Sequence, residues 1–241
     1  MAAVVADMCI PETRPKELVN GDDHPAIFDG ATRLYICYSC PFSQRVWITR
    51  NYKGLQNQIQ MVPISLKSKP AWYAEKVHSA GNVPSLEHNG KVFGESLHLI
   101  KYLEENFEGP SLSPEDPSKK EFSEELYAYI DTFSGTIYGS FGKPDVAALA
   151  GPGFDHLENA LCKFNDGPFF LGQFSLVDIA FMPTIERFQL WLKEASDFDI
   201  TAGRPNLAVW IEEVNKIEAY KQTKTDPNVL IAYYRMRFAR K

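Results

Sequence analysis

A short apolar segment runs directly into a Cys-Pro pair, and this junction constrains the fold more than any other feature of the chain. Residues 33–37 (RLYIC) combine aromatic and aliphatic side chains, which predicts a buried strand. Pro41 suits the first turn of a helix, where its missing N–H group needs no partner. The helix is predicted to run to about Lys53 and to end at Gly54. The sequence therefore predicts a strand, a tight connection and a helix with Cys40 at its start.

The segments that follow predict a small α/β domain. Residues 59–64 read as a second strand, and residues 69–77 show a short helical pattern. Asn89-Gly90 between two short strands is a strong hairpin signal, because a type I′ turn needs positive φ at both central residues. Residues 95–107 carry apolar side chains at helical spacing. The order β-α-β-α-β-β-α predicts an open mixed sheet covered by helices.

The second half of the chain carries helical patterns only. Three prolines and little apolar content between residues 109 and 118 indicate a linker. Ser175 and Asp178 have the spacing of a capping box at the start of an apolar helix. The predicted boundaries are an N-terminal extension over residues 1–30, an α/β domain over 31–109, a linker over 110–118 and an all-helical domain over 119–241.

Net charge, hydropathy and cysteine content argue against several classes of protein. The formal net charge of −6 argues against nucleic-acid binding, and no apolar run approaches the roughly 18 residues of a membrane span. Four cysteines in 241 residues do not make a disulfide scaffold. Residues 1–15 lack the features of a secretory signal or a transit peptide. We therefore expect a cytoplasmic protein in a reducing compartment.

Cys40 is the candidate reactive group. A thiol at a helix start faces unpaired N–H groups and the positive end of the helix dipole, and both stabilise a thiolate. The thiolate is the nucleophile in disulfide exchange. The alternative is that Cys40 is a small buried apolar residue. Its place before a proline at a strand-to-helix turn favours the functional interpretation.

The pair Cys37 and Cys40 admits two further interpretations, which the spacing disfavours. A zinc site needs two more ligands at suitable spacing, and Cys9 and Cys162 are remote. In a dithiol redox motif the partner follows the nucleophile by three residues, and here that position is Ser43. This predicts monothiol chemistry with an external thiol. Cys37 is predicted to be structural, with its Cα beyond the roughly 7 Å that a disulfide with Cys40 permits.

Two later dipeptides and a lysine suggest a binding site beside Cys40. Val83-Pro84 is either an ordinary edge proline or a cis-proline whose preceding residue pairs with a bound peptide, and the sequence leaves both open. Glu95-Ser96 is either a plain helix start or a carboxylate site built on helix N–H groups. Lys69 is either a solvated charge or a partner for a second carboxylate.

Taken together, these motifs resemble those of the cysteine-type cytosolic glutathione transferases, which include the omega class, the plant dehydroascorbate reductases and the plant lambda class. The motifs, in order, are CPFS at 40–43, LKSKP at 66–70, VP at 83–84 and ES at 95–96. The stretches 33–55 and 83–109 look most like the lambda class. The resemblance covers nearly the whole chain after about His24.

The resemblance implies a thioredoxin-like α/β N-terminal domain that binds glutathione, followed by an all-α domain. It implies that Cys40 forms a mixed disulfide with glutathione. The glutathione-binding residues that it implies are Phe42 packing beside the cysteine, Lys69 near the glycine carboxylate, Val83 and Pro84 at the cysteinyl unit, and Glu95 and Ser96 at the γ-glutamyl unit.

The expected function is that of a glutathione-dependent thiol transferase that removes glutathione from small aromatic, flavonoid-like acceptors. Glutathione is then a co-substrate, no metal is expected, and no nucleic acid or membrane partner is predicted. The lambda resemblance favours a monomer. Dehydroascorbate reduction is the alternative, because CPFS also resembles the motif of those reductases, although they tend to have aspartate in place of Glu95. A flavonoid carrier without turnover is the third possibility.

Overall fold

The computed structural model describes residues 12–238. They form two compact units: the first holds the residues up to Ser111 together with Glu218–Thr223, and the second holds Leu112–Ile217 together with those from Lys224 onward. The elements are β1 (Thr32–Ile36), α1 (Pro41–Tyr52), β2 (Ile59–Pro63), a π-helical turn (Tyr73–Val77), β3 (Ser85–His88), β4 (Lys91–Phe93), α2 (Ser96–Asn106), α3 (Pro117–Ser140), α4 (Val146–Leu161), α5 (Leu176–Ser196), α6 (Pro205–Val214), α7 (Glu218–Lys221) and α8 (Pro227–Phe238).

A four-stranded sheet in the order β2-β1-β3-β4 forms the centre of the first unit. β1 pairs with β2 in parallel and with β3 antiparallel, and β3 pairs antiparallel with β4. Leu34, Tyr35 and Ile36 are completely buried although successive side chains of a strand point to opposite faces. Both faces of the sheet are therefore covered, as the predicted order of elements requires.

The hairpin between β3 and β4 has the predicted turn. Asn89 and Gly90 both adopt positive φ, at 51° and 71°. A type I′ turn needs this conformation at its two central residues, and asparagine and glycine tolerate it best. The turn sets the register that pairs Leu86 with Phe93, and it returns the chain to the start of α2.

The segment before β1 lies over the first unit. Leu18 pairs with Ile64 in an isolated parallel bridge. The guanidinium of Arg50, which is 1% exposed, donates two hydrogen bonds of 2.8 Å to the carboxylate of Glu12. The predicted extension over residues 1–30 thus packs on the sheet from residue 12 onward. Residues 1–11 lie outside the described part of the chain.

The second unit is all-helical, as predicted, and no strand occurs among its described residues. The capping box of α5 is present: the carboxylate of Asp178 accepts hydrogen bonds from the Ser175 amide (2.9 Å) and hydroxyl (2.7 Å). The same carboxylate accepts from Trp210 Nε1 (2.7 Å) and from the Phe170 amide (3.3 Å). Complete burial raises the pKa of Asp178 to about 6, although the four donors favour the ionised form.

The boundaries of the units differ in two places from those predicted. α3 begins at Pro117, inside the predicted linker, because Asp116 caps it by accepting hydrogen bonds from the amides of Ser118 and Lys119. The short α7 segment, predicted to lie in the helical domain, packs with the first unit instead. There the Gln44 side chain of α1 donates a buried hydrogen bond of 3.1 Å to the Thr223 hydroxyl.

No helix in the described part of the chain combines the length and the apolar character needed to cross a membrane.

Candidate active site

Cys40 lies where β1 passes into α1. Its backbone is extended (φ −78°, ψ 122°) and it occupies the position just before the first helical residue, Pro41. The Cys40 amide donates to the Cys37 carbonyl (3.1 Å), and its own carbonyl accepts from the Gln44 amide (3.0 Å). The side chain is half-buried. This geometry leaves a partly accessible thiol at the positive end of the helix.

The loop that precedes β3, residues 78–84, faces the Cys40 thiol. The Val83-Pro84 peptide bond is cis, so the structure has the second of the two arrangements that the sequence left open. The Cys40 thiol is directed at the Val83 carbonyl, with 3.9 Å between Sγ and the oxygen. Both Val83 and Pro84 are buried. The backbone that is predicted to pair with the cysteinyl unit of glutathione therefore lies directly beside the reactive sulfur.

Ser96 begins α2 and is held by a buried arginine. Its hydroxyl accepts a hydrogen bond of 3.1 Å from Nη1 of Arg45, which is 3% exposed and comes from α1. The same guanidinium lies 5.2 Å from the centroid of the Phe42 ring, and Phe42 itself is 44% exposed. The contacts of Arg45 thus connect two of the predicted glutathione-binding residues. A guanidinium, a hydroxyl and a helix start together favour a carboxylate ligand.

Glu95 precedes Ser96 in a conformation that is rare for a residue with a side chain. Its φ is 64° and its ψ is 107°, while its carbonyl accepts the Leu99 amide (2.9 Å) and so begins the helix. Non-glycine residues in such regions cost about 1–3 kcal/mol and concentrate at functional sites. The carboxylate is exposed. It offers a partner for the amine of a γ-glutamyl group beside the carboxylate-favouring Ser96.

Lys69 contacts the same loop from another direction. Its ammonium group donates a hydrogen bond of 2.7 Å to the carbonyl of Gly81, two residues before Val83. A Cβ added at Gly81 would lie 3.1 Å from that ammonium nitrogen. Lys69 is thus exposed, but its ammonium group is also hydrogen-bonded to this loop. An ammonium has three donors, so the predicted contact with the glycine carboxylate of glutathione stays possible.

The other cysteine of the pair, Cys37, is buried in the first unit. Its thiol contacts the Ser39 hydroxyl (3.4 Å) and the Glu17 carboxylate (3.8 Å), and its amide donates to the Ser43 hydroxyl (3.2 Å). It is 4% exposed and packs in an apolar cluster of the sheet. The structure thus gives Cys37 the packing contacts of a structural residue.

The predicted distance between the two cysteines was wrong. The chain makes a tight turn through Tyr38 and Ser39, closed by the hydrogen bond from the Cys40 amide to the Cys37 carbonyl. Such a turn keeps its first and fourth Cα atoms within about 7 Å. Distance therefore does not prevent a disulfide, and a monothiol mechanism depends instead on the burial and hydrogen bonding of Cys37.

Two residues of this site were not singled out from the sequence. Arg45 carries a signal that was available: it is a charged residue inside a buried helical stretch, and arginine is almost never fully buried without a partner. Tyr73 carries no such signal, because its position in a short helical pattern predicts only packing. Its hydroxyl nevertheless contacts both sides of the Val83-Pro84 loop, at Asn82 and Ser85.

A metal-binding cluster is not part of this arrangement. Within residues 12–238, no group of three or more histidine, cysteine, aspartate or glutamate side chains is placed to hold a metal ion. Cys37, Cys40 and Cys162, the cysteines of that range, have free thiols. Cys9 lies outside it.

Comparison with known proteins identifies relatives along almost the whole chain. Residues 34–111 match the family model described as glutathione S-transferase, N-terminal domain, and residues 124–213 match that of the C-terminal domain. Glutathione S-transferase L1 of Arabidopsis thaliana is 59% identical over 225 residues, which is 93% of this chain and 94% of that protein. Glutathione S-transferase L3 of the same plant is 58% identical, covering 94% and 96% of the two chains. The solved structure of glutathione transferase Omega 2C from Trametes versicolor superposes with a TM-score of 0.72 at 26% identity, covering 88% and 100%.

Proposed function

Since this chain belongs to the lambda class of glutathione transferases, we propose that it removes glutathione from small aromatic molecules through a Cys40–glutathione mixed disulfide. The observation that carries the proposal is the half-buried Cys40 thiol at the start of α1, beside the Val83 carbonyl. A cysteine in this position attacks sulfur, whereas a hydroxyl would only stabilise the thiolate of glutathione.

The proposed reaction has two steps that balance. The Cys40 thiolate attacks the sulfur of a glutathionylated molecule, so that an S–S bond forms and the carbon–sulfur bond breaks. The carbon leaves with the electron pair and takes a proton, which yields the free aromatic acceptor. A second glutathione thiolate then attacks the mixed disulfide, which releases oxidised glutathione and restores Cys40.

Charged groups near Cys40 support a defined orientation for glutathione. The γ-glutamyl unit carries one amine and one carboxylate. We place its carboxylate at Ser96 beside the Arg45 guanidinium, and its amine at the exposed carboxylate of Glu95. The Val83 backbone would pair with the cysteinyl unit, and Lys69 would meet the glycine carboxylate. The aromatic part of the glutathionylated substrate is then the leaving group.

Turnover with three substrates tests the proposed function. We expect the purified protein to release quercetin from glutathionylated quercetin when glutathione is present, and to turn over chlorodinitrobenzene poorly, because Cys40 captures glutathione as a disulfide. Reduction of dehydroascorbate in place of quercetin release would favour the alternative function. Binding of quercetin without turnover of any of these substrates would mean that the protein is a carrier.

A second prediction concerns the number of thiols in the mechanism. Treatment with oxidised glutathione should leave one stable glutathione adduct, mapped to Cys40 by mass spectrometry. The Cys37 thiol is 4% exposed and contacts Glu17 and Ser39, so it is poorly accessible to oxidised glutathione. Ser43, in the position of a resolving cysteine, cannot form a disulfide.

The same experiment has an opposite result that is easy to recognise. A loss of two hydrogens together with a linked Cys37–Cys40 peptide would show a dithiol mechanism, which the tight turn between these residues permits. Protein with Cys37→Ser is the matched control, since it cannot form that link and should give the adduct alone.

Cellular location and assembly are part of the proposal. The free thiols of Cys37, Cys40 and Cys162 support a reducing compartment, and we propose the cytoplasm. Fractionation of cells that express the tagged full chain would test this, and recovery in an organelle would contradict it. The lambda-class relationship favours a monomer, for which sedimentation should give a mass near 27.3 kDa.

A further inference from the structure

The hydroxyl of Tyr73 makes two short hydrogen bonds to the loop beside Cys40. It donates to the Asn82 carbonyl at 2.7 Å, and it lies 2.8 Å from the Ser85 hydroxyl. A phenol has a single proton, and the carbonyl can only accept. Ser85 must therefore donate to the Tyr73 oxygen. The phenol hydroxyl thus donates one hydrogen bond and accepts another, which fixes its orientation.

These two partners lie on either side of Val83-Pro84. The chain segment between them is the one whose Val83 carbonyl faces Cys40 Sγ at 3.9 Å. Two other side chains contact the residues before Val83: Lys69 donates to the Gly81 carbonyl at 2.7 Å, and the His78 ring contacts the Asn82 side-chain oxygen at 2.7 Å. Tyr73, in contrast, contacts the residues on both sides of Val83-Pro84, which are Asn82 and Ser85.

The ring that carries this hydroxyl is firmly held. Tyr73 is completely buried, and its ring packs against Tyr35 (5.4 Å between centroids) and edge-on against Trp72 (6.2 Å). Burial raises the pKa of the Tyr73 phenol well above its usual value, so the proton that bonds Asn82 is retained at any physiological pH. The Tyr73 hydroxyl is therefore held in place, and its hydrogen bonds fix the position of the loop.

We propose that Tyr73 is a positioning residue that holds the Val83 backbone at the distance from Cys40 at which the cysteinyl unit of glutathione binds. The inference rests on the proposed function, since it assigns a role to Tyr73 in the same site. Tyr73 takes no part in the chemistry of this scheme. It acts through Asn82 and Ser85.

The test compares two variants that each lose one buried phenol hydroxyl. Tyr73→Phe keeps the ring and removes both bonds to the loop. Tyr35→Phe is the matched control, because the Tyr35 hydroxyl is equally buried in the same unit but bonds the Glu87 carboxylate (2.7 Å) instead of the loop. The measurement is the rate at which oxidised glutathione forms the Cys40 adduct, as a function of its concentration.

We expect Tyr73→Phe to raise the concentration of oxidised glutathione at half-maximal rate by about three- to tenfold, as the loss of one or two neutral hydrogen bonds predicts. The limiting rate should stay within about twofold, and alkylation of Cys40 by iodoacetamide, which does not use the loop, should be unchanged. Tyr35→Phe should leave all three quantities unchanged. Ser85→Ala, which removes one of the two bonds, should raise the half-maximal concentration by a smaller factor.

Three results would overturn the inference. In the first, the wild-type protein forms the Cys40 adduct, but Tyr73→Phe has the same half-maximal concentration of oxidised glutathione as the wild type. This result would leave the proposed function intact. The second is an equal rise in Tyr35→Phe, which would reflect general loosening of the sheet. The third is a wild-type protein that forms no adduct, which overturns the proposed function as well. If Tyr73→Phe fails to fold, an unchanged half-maximal concentration in Ser85→Ala decides against the inference.

Discussion

Replacing Cys40 with serine is expected to lower the rate of quercetin release from glutathionylated quercetin by at least about a thousandfold. A serine hydroxyl is a far weaker nucleophile than a cysteine thiol and cannot form a mixed disulfide. The side chains are nearly the same size, so the variant should fold normally. The rate of release, measured by chromatography of quercetin, is the readout.

Cys37→Ser is the matched control for that experiment. The Cys37 thiol is buried, and its hydrogen-bonding contacts are with Ser39 and Glu17. The variant should therefore keep most of the activity. An inactive Cys37→Ser protein beside an active Cys40→Ser protein would place the nucleophile on the strand and show that the proposed site is wrong.

Asp178→Ala should lower the free energy of unfolding by about 3–5 kcal/mol, because each buried donor that loses its acceptor costs about 1–3 kcal/mol. The carboxylate accepts four hydrogen bonds, from the Ser175 amide and hydroxyl, the Phe170 amide and the Trp210 indole. Alanine leaves these four donors without an acceptor in the interior of the second unit. Urea unfolding at pH 7.5, above the pKa of about 6, measures the change with the wild-type group ionised.

Asp116→Ala provides the comparison for this second substitution. Asp116 also caps a helix with its carboxylate, but its two hydrogen bonds to the amides of Ser118 and Lys119 are exposed. Loss of an exposed cap costs about 1 kcal/mol. If Asp178→Ala costs no more than Asp116→Ala, the buried network contributes nothing beyond ordinary capping.

Local signals were sufficient to predict most of the fold. The strand before Cys40, the Asn89-Gly90 hairpin, the helical second half and the Ser175–Asp178 capping box were all predicted from residues within a few positions of one another, and all are present. Each depends on a physical preference that acts over a few residues: the φ that a side chain permits, the N–H groups that a helix start leaves unpaired, or the period of apolar side chains.

Contacts between distant parts of the chain were not available from such signals. Arg45 reaches Ser96 across 51 positions, and α7 packs on α1 although about 170 residues separate them. The sequence also left the cis form of Val83-Pro84 open, and it did not predict the tight turn between Cys37 and Cys40. The distance between the two cysteines was predicted wrongly for this reason.

The sequence by itself determined that a cysteine stands at the start of a helix, in a domain with an open mixed sheet, ahead of a helical half. The resemblance of its motifs indicated the class of glutathione transferase. The structural properties follow from short-range preferences that act on any chain with this order of residues. Only the tertiary structure decided which backbone faces the Cys40 thiol, which arginine donates a hydrogen bond to Ser96, and which tyrosine is hydrogen-bonded to the loop that contains Val83. Buried polar groups must find hydrogen-bond partners, and those partners become neighbours only when the sheet and helices have packed.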